Sequence, residues 1–179
     1  MEQKSASMLT PAVIYAGIIV GIIIVHTIII DILELNFSTY NRIAGFVIPL
    51  AGIAYAIYGF RKEYNQNVIN YQRALGFGVF VSFLVALLTS AFSALYSYYI
   101  NPELLEIGRQ MAEERMIESG RSAEFIEKAM EQQAKFQTPV FIIIWGTVFT
   151  TLIGTVFSLI AASVLKREQK EPFTDPEQN

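Results

Sequence analysis

The chain has 179 residues, of which 53% are hydrophobic and only 16% charged, with a formal net charge of −3. That is too apolar for an ordinary soluble domain, where about a quarter of the residues carry charge, and the negative balance gives no electrostatic basis for nucleic-acid binding. The absence of cysteine excludes disulfides and thiolate metal sites, and a single histidine, His26, argues against a multi-histidine metal centre.

Charge placement divides the chain. Ser5–Ile30, Ile43–Phe60, Ala74–Pro102 and Phe136–Leu165 contain no Asp, Glu, Lys or Arg, so all 29 charged residues fall between or beyond them. At ~1.5 Å rise per residue each stretch is long enough to cross a hydrocarbon core of ~30 Å. The expectation is an all-α integral membrane four-helix bundle, with spans at about 10–33, 43–60, 74–100 and 139–165.

The first stretch exceeds the ~7–15 residues of a signal-peptide core, and no small-residue cleavage site precedes Asp31, so it reads as an uncleaved span. Gly17 and Gly21, four apart, form a short small-residue seam. His26 lies within the span, where an ionisable residue is a functional candidate by default. It is read first as a hydrogen-bonded packing group, with a gating or proton role as the alternative. Asp31 is five residues further on, about 140° around a helix, so the two make no same-face pair. Asp31 and Glu34 are expected to sit at the interface and reach water.

Span 2 carries Gly45, Gly52, Ala56 and Gly59, read as a packing seam. Tyr55, Tyr58 and Tyr64 at one membrane face, and Tyr96, Tyr98 and Tyr99 at the other, suit headgroup depth, where an apolar ring with a polar tip is favoured. Arg42 and Arg73 at span boundaries are expected to snorkel to phosphate. Spans 3 and 4 share a further pattern. Gly78, Ser82, Ala86, Ser90 and Ala94 follow one another at steps of four, as do Gly146, Thr150, Gly154, Ser158 and Ala162. Among apolar helices in lipid, close backbone approach and interhelical hydrogen bonds drive association, and small residues permit both. A step of four drifts ~40° on a straight helix, so the two ladders predict a close crossing near the middles of spans 3 and 4.

Residues 102–137 form the only long charged insert, with eight acidic and five basic residues. Pro102 suits a first helical turn. Leu104, Ile107, Met111 and Ile117 recur at helical spacing. Gly120 ends that helix in a left-handed conformation and Ser122 caps the next. Phe125, Ile126, Ala129, Met130 and Phe136 give the second helix an apolar side. Thr138-Pro139 ends it, because the residue before proline avoids the α region, and Pro139 opens span 4. The product is a helical hairpin too small to be stable alone. It must pack on itself, on a membrane surface or on a partner.

Orientation follows lysine and arginine. The link after span 1 has one basic residue, Arg42, whereas Arg61, Lys62 and Arg73 follow span 2 and Lys166, Arg167 and Lys170 follow span 4. With Lys4 at the start, both termini are expected in the cytoplasm and the hairpin outside; residues 168–179 read as a disordered cytoplasmic tail.

Three runs add a resemblance. Tyr40-Asn41-Arg42-Ile43 opens span 2, Tyr58-Gly59-Phe60-Arg61-Lys62-Glu63-Tyr64-Asn65 closes it, and Tyr71-Gln72-Arg73-Ala74-Leu75-Gly76-Phe77-Gly78 enters span 3. With Asn101-Pro102, the acidic insert and Thr138-Pro139, nearly the whole chain resembles the uncharacterised bacterial membrane family catalogued as domain of unknown function 4199. Where that family tends to carry glycine after the tyrosine–asparagine pair, this chain has Gln66. The resemblance implies a four-span protein of the bacterial cytoplasmic (inner) membrane and brings no activity, substrate or site residue with it.

No G-x-S-x-G, P-loop, H-E-x-x-H or G-x-G-x-x-G pattern occurs. No catalytic, cofactor-binding or metal-binding residue is therefore nominated, and no cofactor is expected. Besides the lipid bilayer, the partners to expect are a protein at the hairpin 102–137 or further copies of the chain in a homo-oligomer. The leading expectation is a non-enzymatic interaction component working through its hairpin. A small transporter or channel component, working as an oligomer and using His26, is the competing class.

Overall fold

The computed structural model describes residues 7–167; the tail expected at 168–179, Lys170 and Lys4 lie outside them. Six helices follow in order: α1 (Leu9–Ile32), α2 (Thr39–Gly59), α3 (Tyr71–Leu95), α4 (Glu103–Glu118), α5 (Ala123–Phe136) and α6 (Pro139–Leu165). Helices α2 and α3 each continue through a π-helical turn, Phe60–Tyr64 and Tyr96–Ile100, so their apolar rods reach from Thr39 to Tyr64 and from Tyr71 to Ile100. Together with α1 and α6 they make four helices long and apolar enough to cross a membrane. There is no strand among the described residues; the sole β-type pairing is an isolated antiparallel bridge between Ile69 and Arg167.

Local chemistry sets the boundaries. The side chains of Ser38, Asn70, Ser122 and Thr138 each accept a hydrogen bond from the backbone N–H three residues on, the N-cap arrangement these residue types favour. Gly120 closes α4 at φ +69°, and Pro139 occupies the first turn of α6. These are the punctuation points expected of the insert.

The closest packing joins α3 to α6 through the two small-residue ladders. A Cβ at Gly78 would lie 2.8 Å from Ser158 Oγ, one at Gly154 2.6 Å from Ser82 Cβ, and one at Gly146 2.6 Å from Ser90 Oγ. Each step of four up α3 is therefore met by a step of four down α6. The close approach is longer than a crossing near the middles: from Gly78 to Ser90 it covers ~18 Å of helix at 1.5 Å per residue. Ser82 and Ser158 are buried at its centre. Each donates to the carbonyl four residues back, at 2.7 and 2.8 Å, and their hydroxyls stand 3.4 Å apart.

Helix α1 packs on α2 and α3. Gly52 accommodates Ile19, Gly59 accommodates the Tyr15 hydroxyl, and Tyr15 sets its ring edge-on to Phe77 at 6.4 Å. The seam on span 2 thus runs through Gly52, Ala56 and Gly59 without Gly45, which faces open space. Gly17 and Gly21 do not form the expected intramolecular seam: both are exposed, with nothing near the position of a Cβ. Four-residue spacing puts small residues on one side of a helix without saying which side meets a neighbour, and here Ala12, Tyr15, Ala16 and Ile19 do.

Candidate functional site

Two polar assemblies tie the ends of the spans together. At one end of the bundle, Arg61 Nη1 donates to the Leu165 carbonyl at 2.8 Å, capping α6, and the Ile69–Arg167 bridge holds the same end through two hydrogen bonds of 2.9 Å. Phe60 stacks on Phe77 with centroids 3.9 Å apart, and the Arg73 guanidinium lies over the Phe60 ring. Tyr15 donates to Glu63 at 3.1 Å. The run from Tyr58 to Asn65 is therefore a joint between spans; beyond its topology signal, Arg61 closes a helix terminus.

At the opposite end Asp31 is the hub. Its carboxylate accepts from Tyr96 Oη at 2.6 Å and from the side-chain amides of Asn36 and Asn101, each at 2.8 Å. Asp31 stays partly exposed, as expected, and three donors from the first link and the end of span 3 also hold it. Tyr96 and Tyr98, expected only as depth anchors, are hydrogen-bond donors too; Tyr98 binds the Gln137 carbonyl. Sequence spacing could not reveal these contacts, because the partners lie 65 and 39 residues away.

The hairpin stands on this hub. Asn101 joins its first base to Asp31, and the Tyr98–Gln137 bond joins its two bases to each other. Beyond the bases α4 and α5 stay in contact, but no residue of either helix is fully buried. Between them lies an open cleft of about 560 Å³. Ile117, Ile126 and Met130 give it apolar surface, while Glu113, Glu127 and Glu131 make its walls acidic against a single base, Arg109. The two helices pack on each other in part: Met111, Ile126 and Met130 are half-buried, while Ile117 and Phe125 remain 59% and 49% exposed.

His26 stands apart from both assemblies. Its ring centroid lies 6.3 Å from that of Tyr40, and its Nε2 is buried without a hydrogen-bond partner. The hydrogen-bonded packing role expected for it thus finds no bond at that nitrogen. No group of three or more metal-ligating side chains gathers among the described residues.

No curated protein and no solved structure matches the chain. A family model described as "Protein of unknown function (DUF4199)" matches residues 14–167. That match takes in all four long helices almost end to end, both polar assemblies and the hairpin between them, and so the chain belongs to the DUF4199 family.

Proposed function

We propose that the protein is a non-enzymatic component of the bacterial cytoplasmic membrane that presents its α4–α5 hairpin, on the extracytoplasmic side, to a protein partner. The excess of arginine and lysine at the Arg61–Arg73 link and after α6 supports cytoplasmic termini by the positive-inside rule. The observation that carries the proposal is the open cleft: two amphipathic helices with no buried residue, fixed at the base and unfilled between. An apolar floor with acidic walls suits an amphipathic segment bearing lysine or arginine, since complementary charge selects and orients partners.

Photo-cross-linking from a benzophenone amino acid at position 126, in intact cells, tests this. The expected product is one adduct whose cross-linked peptide is basic and amphipathic, lost when Glu127→Lys and Glu131→Lys are combined. Adducts confined to lipid, or a protein adduct indifferent to that charge reversal, would overturn the proposal.

A further inference from the structure

Helices α2 and α6 touch less intimately than α3 and α6 and leave a furrow between them. A cavity of about 300 Å³ is lined by Leu50, Ile53, Ala54, Phe157, Ala161 and Leu165, among others, every one apolar. A separate, smaller cavity of about 100 Å³ shares Leu50 and Ile53 with it but is bounded also by α3, through Ser82 and Val85, and by Thr150 of α6. The larger, wholly apolar cavity is the furrow proper. Its shape follows from sequence: Ala54 and Ala161 supply little bulk between the larger side chains around them.

From Phe157 to Leu165 the furrow follows ~12 Å of α6, close to the ~15 Å depth of one leaflet's hydrocarbon. At its Leu165 end the walls give way to cations. Arg61 caps the Leu165 carbonyl, and its Nε is buried without a partner. Lys166 and Arg167 come next in the chain with exposed side chains, and the Ile69 bridge fixes their backbone there. Lys62 adds a further positive charge beside Tyr58. Glu63 is the one acid in the Arg61–Arg73 link, and it accepts from Tyr15.

We propose that this furrow is a binding site for an anionic phospholipid, with one acyl chain between α2 and α6 and the phosphate held by Arg61, Lys166 and Arg167. A wholly apolar wall at bilayer depth excludes a polar soluble ligand and suits a hydrocarbon chain. The basic end supplies the sign preference, because each lysine or arginine near a membrane surface attracts an anionic lipid by an amount equal to about a fivefold change in affinity. The site is independent of the hairpin, which lies at the other end of the bundle.

Native mass spectrometry of the full chain in mild detergent, titrated with phosphatidylglycerol, phosphatidylcholine or soluble glycerol phosphate, measures it. Phosphatidylglycerol is expected to bind at least about fivefold more tightly than phosphatidylcholine. Lys166→Gln and Arg167→Gln should each weaken it about fivefold, and together about 25-fold. Both side chains are exposed, so these variants keep the fold. Ala161→Phe, which fills the furrow, should weaken both lipids; Val164→Trp, at an exposed position on its rim, serves the same end if Ala161→Phe does not fold. Equal binding of the two lipids would overturn the headgroup assignment. Full competition by glycerol phosphate would show a soluble-anion site instead of a lipid site. Binding unaffected by either furrow-filling variant would place the lipid elsewhere on the surface.

Discussion

The protein contains two antiparallel helix pairs built on opposite plans. In α3–α6, glycine meets serine at van der Waals limits over several turns, with only the tips of Ile53 and Ile57 reaching the seam from α2. In α4–α5, the chain offers leucine, isoleucine, methionine and phenylalanine, yet half-buries only some and fully buries none of them. The environments explain the inversion. Within hydrocarbon, apolar bulk is as content against lipid as against a neighbour, so contact depends on how closely two backbones approach. The hairpin's many charges keep it out of that medium, and in water its apolar residues would gain by closing. A pair that closes only in part, while tethered at its base, has apolar surface in reserve. That contrast supports the proposed contact surface on the hairpin and marks α3 and α6 as the tightly packed pair.

The contrast breaks most sharply at Gly154. Leucine there must displace Ser82, whose Cβ already crowds the position. Overpacking of this kind costs about 3 kcal/mol, seen as a large drop in the thermal unfolding temperature in mild detergent. Gly17→Leu, into open space, should shift it by no more than about 0.5 kcal/mol equivalent; equal effects at the two glycines would refute the seam. A smaller loss is expected for Asp31→Ala, which strips three donors of their acceptor and costs about 2–3 kcal/mol. Hydrogen exchange should then accelerate at the bases of α4 and α5 and leave the α3–α6 centre protected. Uniform acceleration would mean that the hub supports the whole bundle. The smallest effect is predicted for Ile117→Ala in the cleft, within about 0.5 kcal/mol because the side chain is mostly exposed. A loss near 2 kcal/mol on thermal unfolding would show that the hairpin closes on itself in solution.

How far sequence reached depended on the range of the interaction. Charge-free lengths, caps and glycine stops are local, and Ser122, Gly120, Thr138 and Pro139 punctuate the chain where their chemistry demands. The ladders on spans 3 and 4 were legible because two matched patterns implied each other. Gly17 and Gly21 had no such counterpart, and the face they occupy was set by Ala12, Tyr15 and Ile19 instead. The Asp31 hub and the Arg61 cap join residues 65 to 104 positions apart, and nothing in either local pattern announces its partner. The turn after Asn65 is intermediate. Gln66 and Asn67 both adopt left-handed φ, at 49° and 62°, a conformation that glycine accepts more readily. Glycine would therefore be the easier residue at 66, and this chain forms the turn without it. The openness of the hairpin was out of reach, since the same amphipathic pattern serves a closed pair equally well.

The α3–α6 seam also orders events in time. Helix α3 leaves the ribosome well before the helix that fills its groove: from Ile100 to Leu165 roughly 65 residues must be made, about 3–13 s at 5–20 residues per second. During that interval the serine-and-glycine face of α3 is without its mate in the bilayer. The narrowest contact in the finished molecule is thus the last of the large ones to close, and the hairpin is synthesised within the delay.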